Sequence, residues 1–194
     1  GTLAISGVTS AWMMSEILGF DITTSGSDAY PPLVIGGLTA VATGLIVGLV
    51  NAFLITKLRI VPFVATLSTM GATLGFAIII SNGMPIGGPN DFSLISPINP
   101  TWMPFSWAVI GVIVVVTMVG LFLHRSRFGL HTYAIGSNSF AARAAGINVE
   151  RHLTKVYALA GALAGLAGFY VYLRLGAGSP SSGVMRELDA IAAV

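Results

Sequence analysis

Two long runs without a charged residue constrain what this chain can fold into. Leu33 to Ile55 covers 23 positions and Ile60 to Ser81 covers 22, all apolar, small or uncharged polar. Crossing about 30 Å of lipid hydrocarbon takes roughly 20 helical residues at about 1.5 Å per residue. Inside lipid a helix is favoured because it satisfies its own backbone hydrogen bonds. Both runs are therefore predicted to be membrane-spanning helices, which excludes an ordinary water-soluble domain.

Three further apolar runs extend this prediction. They cover Gly1 to about Phe20, which is interrupted by Glu16, then Phe105 to Leu123, and Val156 to Leu173. The fold class is therefore predicted to be all-α, a polytopic membrane protein with about five transmembrane helices in a single domain, 1–194. The chain begins with Gly and ends within an apolar run, so we expect a piece of a longer protein, truncated at both ends. The predicted helices are 1–20, 33–55, 60–81, 105–123 and 156–173.

Charge is scarce and unevenly placed. Charged residues make up 8% of the chain, against about 25% in a typical soluble domain. Seven of the nine basic residues lie in the second and fourth connections between the predicted helices, whereas most acidic residues lie in the others. Because basic connections stay in the cytoplasm, this asymmetry orients the chain. The cytoplasmic basic residues are Lys57, Arg59, Arg125, Arg127, Arg143, Arg151 and Lys155, with Asp28 and Asp91 on the opposite side.

The composition also excludes several kinds of chemistry. There is no Cys, which rules out a disulfide scaffold, a Cys-based zinc site and a thiol nucleophile. The three His residues lack the H-E-x-x-H spacing, and no G-x-x-x-x-G-K-[ST] phosphate loop occurs. We therefore predict no catalytic residue, no metal site and no cofactor, and a chain so apolar is not expected to bind nucleic acid.

Small and polar residues mark particular faces of the predicted helices. Small residues recur every fourth position at Gly36, Ala40, Gly44, Gly48 and Ala52, and again at Ala160, Ala164 and Gly168. Such stripes allow helix backbones to approach closely, within one chain or across a dimer. Hydroxyl and amide groups in membrane helices line a pathway or bond to their own or a neighbouring helix. The possible pathway-lining residues are Asn51, Thr66, Thr69 and Thr73.

The long basic connection, 124–155, carries the pattern of a short helix. Ser137 or Asn138 can cap it, Ser139 to Ala145 is rich in Ala, and Gly146 can supply a left-handed stop. The next helix then begins at Asn148 or Val149. The short helix would expose Phe140 and Arg143, which lie three residues apart and can meet a groove on another protein. The alternative is a solvated loop whose Arg side chains anchor helix ends to lipid headgroups.

This connection also carries a family resemblance. The runs LRIVPFVATLSTMGA, RFGLHTYAIGSNSFAARAAGINVERHLTKVYALAGALAGLAG and ELDAIAAV resemble the inner-membrane permease subunits of bacterial ATP-binding-cassette importers for monosaccharides, of the ribose, xylose and galactofuranose type. Within the pattern YAIGxNxxAAxxxGI the family's usual Gly before Asn138 is Ser137 here. The resemblance implies that this loop is the coupling helix that docks on the ATPase. The residues it assigns to coupling are Gly136, Asn138, Phe140, Ala141, Ala142, Arg143, Gly146 and Ile147.

The resemblance also implies a function and partners. A chain of this family is a multi-pass protein of the bacterial inner membrane that is not itself an enzyme and forms the pathway for a monosaccharide. Its expected partners are a separate ATPase subunit, a periplasmic sugar-binding protein, a second permease subunit in a homo- or heterodimer, and membrane lipid. Two alternatives remain open. A branched-chain amino-acid permease shares the architecture, and an ion-coupled secondary transporter would be expected to show inverted repeats and broken or charged midmembrane helices.

Overall fold

The computed structural model describes residues 1–19, 30–88, 107–183 and 192, and these residues are mainly helical. Seven α-helices and one short two-stranded antiparallel sheet account for the secondary structure of these ranges, with a π-helical turn, Met13–Ile17, that extends the first helix. The elements are α1 (Thr2–Trp12), α2 (Tyr30–Thr56), α3 (Pro62–Ile80), β1 (Ile86–Gly87), α4 (Trp107–Arg125), α5 (Arg127–Ser137), α6 (Ser139–Ala144), α7 (Val149–Leu175) and β2 (Ala177–Gly178).

The predicted class, a helical protein with several membrane spans, is confirmed. Within the described ranges, three helices are long and apolar enough to cross a membrane: Leu33–Thr56, Pro62–Ile80 and Val149–Leu175. A fourth span arises if Val109–Arg125 and Arg127–Ser137 are taken together, although these two helices are bent by 73°. The predicted first span contains the 11-residue α1 and the five-residue π turn. Phe20 and residues 105–106, at the predicted ends of two spans, lie outside the described residues.

The outward faces of these helices are apolar, as lipid contact requires. On α2 the exposed side chains include Leu38, Ile46 and Phe53, and on α3 they include Phe63 and Ile79. A soluble monomer rarely exposes contiguous apolar surface on this scale. In lipid the same surface is buried, so α2 and α3 present it outward.

One compact unit of the chain comprises residues 1–92 and 156–194, and α1 lies at its centre. Ala4, Val8 and Ala11 of α1 are each at most 1% exposed. Ile5 and Val8 pack with Val47 of α2 and Ala77 of α3. The helix is therefore an internal element of this unit, whereas the sequence predicted only a span interrupted by Glu16.

Within this unit α2 and α7 cross at backbone contact. A Cβ built on Gly44 would lie 2.7 Å from the Cα of Gly165, and one built on Gly48 would lie 3.1 Å from the Cα of Gly161. All five small residues predicted to form the stripe on α2 are buried. On α7 the predicted face needs correction. Ala160 is exposed and Ala164 is half-buried, whereas Gly161 and Gly165 meet α2 because Gly, unlike Ala, lets the backbones touch. Gly168, the third predicted position, is buried and meets α1.

The second compact unit, residues 93–155, contains α4, α5, α6 and the first turns of α7. Ser126 caps α5, its hydroxyl accepting a hydrogen bond of 3.3 Å from the backbone N–H of Gly129. Any Cβ at Gly129 would collide with the carbonyl of Leu123. Gly129 therefore permits the sharp bend, and the predicted loop 124–155 contains α5, α6 and the first turns of α7.

Candidate functional site

The short helix α6 begins with a capping interaction from a single side chain. Asn138 is extended, with φ −157° and ψ 102°, and its Oδ1 accepts hydrogen bonds of 3.0 Å from the backbone N–H groups of Phe140 and Ala141. Asn at this position satisfies two of the donors that a helix start leaves unpaired. Of the two caps considered from sequence, Asn138 is the one used, and α6 occupies Ser139–Ala144, six of the seven predicted positions.

Gly146 ends this helix in the left-handed conformation, with φ +84°. The backbone N–H of Ile147 donates to the carbonyl of Ala142 at 3.0 Å, and that of Gly146 donates to Arg143 at 3.0 Å. Asn148 then caps α7 by accepting a 3.0 Å hydrogen bond from the N–H of Arg151. The stop at Gly146 and the cap at Asn148 are two residues apart, so α6 is joined to the first turn of α7 by a short connection.

The residues assigned to coupling divide into an exposed and a covered group. Phe140 is 82% exposed, and Ala141 and Arg143 are also exposed. Ala142 is 4% exposed and Ile147 is half-buried, so these two pack inward. Gly136 lies within α5, where a Cβ would meet nothing within 4 Å. The side chains able to meet a partner are therefore Phe140, Ala141 and Arg143, whereas the others shape the helix.

Sequence reasoning missed the helix α5, which adds apolar surface beside α6. Leu130 is 67% exposed and Tyr133 is 69% exposed, three residues apart and so on one side of the helix. The signal available was Ser126, a good N-cap residue, followed by a run without Pro. We call Leu130, Tyr133, Phe140 and Arg143 the α5–α6 surface. Large exposed aromatic side chains with an Arg are the residue types enriched at interaction sites.

A second feature missed from sequence fixes α5 to the first turns of α7. The hydroxyl of Thr132 lies 2.8 Å from Nε2 of His152, a buried residue with 7% exposure. That hydroxyl also donates to the carbonyl of Phe128 at 2.9 Å, so it accepts from Nε2–H. The rings of Phe128 and His131 lie 4.8 and 5.8 Å from the His152 ring. These contacts hold α5 against the first turns of α7, up to Lys155, within the second unit.

The four possible pathway-lining residues do not form one cluster. Thr69 donates a hydrogen bond of 2.7 Å to Oδ1 of Asn51, which links α3 to α2. Thr66 donates to the carbonyls of its own helix at 3.0 and 3.1 Å. Thr73 is 7% exposed and donates to the carbonyl of Thr69 at 2.8 Å. The structure therefore brings Asn51 and Thr69 together and leaves Thr66 and Thr73 satisfied by the backbone.

Comparison with known proteins assigns this architecture to a family. A family model described as "Branched-chain amino acid transport system / permease component" matches residues 1–194. Among curated proteins, the chain is 34% identical to the ribose import permease protein RbsC of Bacillus subtilis, over 90% of this chain and 61% of that protein. It is 32% identical to the galactose/methyl galactoside import permease protein MglC of Haemophilus influenzae, over 98% of this chain and 58% of that protein.

A third relative matches a shorter stretch more strongly. The xylose transport system permease protein XylH of Haemophilus influenzae is 52% identical over 83 residues, which is 42% of this chain and 22% of that protein. The chain thus spans about three fifths of the length of the first two relatives. No solved structure matches the chain. Because the family match covers every residue and several apolar helices span a membrane, the chain belongs to this family of permease components and is a multi-pass inner-membrane protein.

Proposed function

We propose that this chain is part of the membrane-spanning subunit of an ATP-driven importer that passes a monosaccharide delivered by a periplasmic binding protein. The observation that carries the proposal is the identity of about a third, over nearly the whole chain, to permeases named for ribose and galactose. The family description names branched-chain amino acids instead. The relatives' names favour a sugar over an amino acid.

The charge distribution along the spanning helices supports a neutral substrate. Leu33–Thr56 and Pro62–Ile80 contain no Asp, Glu, Lys or Arg, and within Val149–Leu175 those residues occur only near the two ends. A zwitterionic amino acid needs partners for a carboxylate and an ammonium group, whereas a sugar needs only donors and acceptors of hydrogen bonds. The linked amide and hydroxyl of Asn51 and Thr69 are groups of the second kind.

The α5–α6 surface is the proposed docking site of the ATPase subunit. It presents exposed Phe140 and Arg143 on α6 and exposed Tyr133 on α5, and both helices begin at a side-chain cap. A rigid exposed helix between two spans can transmit a rotation of the ATPase to the membrane helices. Because the chain has no phosphate-binding loop, ATP hydrolysis belongs to the partner, and this subunit is proposed not to be an enzyme.

Uptake by the purified permease tests this function. The permease is reconstituted in proteoliposomes with its ATPase and binding protein, and entry of labelled ribose, galactose, xylose, fructose and leucine is compared with and without ATP. We expect ATP-dependent entry of a sugar and none of leucine. Entry of leucine would support the amino-acid alternative. Entry of either solute that persists without ATP and collapses with an ionophore would indicate ion-coupled transport.

The orientation is proposed from the basic connections, with α5–α6 in the cytoplasm. Because the chain has no Cys, a single Cys replacing Ser139 reports its own accessibility. In intact cells an impermeant maleimide is expected to leave this Cys unmodified, and to modify it once the membrane is opened. A Cys replacing Asn82, which is exposed between α3 and β1, is the control and is expected to react in intact cells.

A further inference from the structure

The chain after α7 turns back and runs beside α1. A Cβ built on Gly178 would lie 2.6 Å from Cβ of Ala11 and 2.9 Å from the carbonyl oxygen of Gly7. One built on Gly183 would lie 3.5 Å from the backbone nitrogen of Ala4. Gly178 thus meets α1 between Gly7 and Ala11, and Gly183 meets it at Leu3 and Ala4. From Val8 or Ala11 back to Ala4 is four to seven helical residues, roughly 6 to 10 Å at about 1.5 Å per residue.

Contacts with α7 show how far the segment reaches back from the end of that helix. Gly168 of α7 and Gly183 both meet Leu3 at the start of α1. A Cβ built on Gly168 would lie 3.2 Å from the carbonyl carbon of Leu3, and one built on Gly183 would lie 3.5 Å from its Cδ2. Gly168 lies seven residues before Leu175, where α7 ends. Gly183 is therefore about 10 Å back from the end of a membrane-spanning helix. The segment Ala177–Gly183, which we call the return segment, lies at membrane depth.

The start of the return segment is held by a backbone ladder. Ala177 and Gly178 form β2, which pairs antiparallel with Gly87 and Ile86 of β1. The backbone N–H of Gly88 donates to the carbonyl of Gly176 at 2.8 Å. Ile86 packs in turn on the buried cluster of Ile5 and Val8 in α1. The ladder satisfies the backbone at this end and fixes the direction in which the segment leaves α7.

The return segment has a buried face and a hydroxyl face. Gly178, Pro180 and Gly183 are buried, whereas Ser181 is exposed and Ser179 and Ser182 are half-buried. The hydroxyls of Ser179 and Ser181 lie 2.8 Å apart, and that of Ser182 donates to the carbonyl of Ser179. Irregular backbone at membrane depth is tolerated only where protein covers it or water fills the space beside it, because lipid cannot pair its polar groups.

We infer that the hydroxyl face of the return segment borders the aqueous sugar route and that Ser179, Ser181 and Ser182 contact the hydroxyl groups of the sugar, an inference that rests on the proposed transport of a monosaccharide. Serine hydroxyls both donate and accept hydrogen bonds, as sugar hydroxyls do. The short side chains and neighbouring glycines also let a ligand reach the backbone. This assigns substrate contact to a segment that hydropathy and motif patterns present as a surface connection.

Cysteine accessibility in the complete transporter tests the inference. Ser181→Cys changes one atom at an exposed position, and Phe76→Cys is the matched control on the lipid face, because Phe76 is an apolar side chain of α3 with 59% exposure. In proteoliposomes a hydrophilic methanethiosulfonate is expected to modify the Cys at 181 and to spare that at 76. Whichever of ribose, galactose, xylose or fructose the wild type transports, present at ten times its Kd, is expected to slow modification at 181 about tenfold, whereas leucine leaves the rate unchanged.

Each other outcome has a definite meaning. An unreactive Cys at 181 in a transporter that still imports sugar shows that protein covers the segment, and overturns the inference. Reaction that is not slowed by the transported sugar shows water without substrate contact, and also overturns it. Slowing by leucine rather than by any of the sugars excludes sugar contact. Failure of the proposed function is separate, since it appears as loss of ATP-driven sugar uptake by the wild-type protein. Ser182→Ala provides a second readout, with a raised KM for uptake and unchanged assembly expected.

Discussion

The crossing of α2 with α7 and the α5–α6 surface use small and large residues in opposite ways. At the crossing, Gly44 and Gly48 meet Gly161 and Gly165 through backbone atoms, and no side chain separates the two helices. On the α5–α6 surface, Phe140, Tyr133 and Leu130 project outward, each more than 65% exposed. The crossing is packed by residues of this chain alone. The large side chains of the α5–α6 surface, by contrast, are not covered by any other part of the described structure.

Substitutions in these two regions are therefore expected to affect different properties of the protein. Glycine backbones in contact cannot give way, so any added side chain at the crossing disturbs the fold itself. Replacing an exposed side chain on a capped helix changes the stability of the fold little. The large side chains of the α5–α6 surface therefore act mainly through the partner that they contact. We therefore expect variants of the crossing to fail in folding and variants of the α5–α6 surface to fold and to fail in transport.

The largest effect is expected for Gly44→Leu. A Cβ at this position falls 2.7 Å from the Cα of Gly165 and 2.8 Å from its nitrogen, so the helices must separate. We expect a loss of about 3 kcal/mol or more, at the upper end for overpacking, seen as a lower thermal midpoint in detergent. Gly75→Leu is the control, because a Cβ there meets nothing within 4 Å. Equal stability of the two variants would show that α2 and α7 do not touch at this point.

The next effect concerns partner binding. Phe140→Ala and Arg143→Glu remove or reverse exposed groups of α6, and we expect each to weaken association with the ATPase by about 2 kcal/mol, or about 30-fold in Kd. Thermal stability of the permease is expected to stay within about 0.5 kcal/mol, as for most surface changes. Ala144→Ser, at another exposed position of α6, is the matched control. Wild-type association of both variants would favour the lipid-anchor interpretation of this loop.

The local features of α6 could be predicted because they depend on residues that are neighbours in the sequence. The cap at Asn138, the stop at Gly146 and the start of α7 after Asn148 all depend on side chains within three or four positions. The burial of α1 could not be predicted, since it is set by α2, α3 and α7 from distant parts of the chain. For the same reason the spacing of small residues in α7 pointed to Ala160 instead of Gly161 at the contact with α2, because hydropathy does not distinguish the two residues.

The site was predicted less well than the fold. The resemblance assigned eight residues to coupling, a prediction that remains to be tested, and only burial separates Phe140 and Arg143 from the covered Ala142. The bond between Thr132 and His152 joins residues 20 positions apart, and no local pattern indicates it. The return segment follows the last predicted span, 156–173, and no element was predicted for it. Its depth follows from contacts with α1, which are tertiary and have no signature in the segment itself.

A smaller effect is expected where α6 ends. Gly146→Val places a β-branched residue at φ +84°, which costs about 1 to 3 kcal/mol. Thermal unfolding measures this loss, and ATP hydrolysis stimulated by the loaded binding protein is expected to fall because α6 no longer meets α7 at a fixed angle. Gly120→Val in α4 serves as the control, since no atom lies within 4 Å of its Cβ position. An unchanged Gly146→Val variant would show that the left-handed turn is dispensable.

The smallest effect is expected at the polar pair between α2 and α3. Thr69→Val keeps the shape and deletes the hydroxyl that donates to Asn51 at 2.7 Å. Such bonds between membrane helices contribute about 0.6 kcal/mol on average. Thr66→Val is the matched control, because that hydroxyl bonds only to carbonyls of its own helix. Thermal stability and the KM for sugar uptake are measured for both variants.

The two measurements decide between packing and pathway at this pair. If Asn51 and Thr69 only join two helices, then Thr69→Val lowers stability and leaves the KM unchanged, and a double-mutant cycle with Asn51→Ala recovers the same coupling energy. If the pair contacts sugar, the KM rises by more than stability loss explains, because a substrate hydroxyl then lacks its partner. Thr73→Val is expected to lower stability and to leave the KM unchanged, since the Thr73 hydroxyl is buried and already donates to the carbonyl of Thr69. A raised KM for that variant would contradict the burial of Thr73 and place the route between α1 and α3.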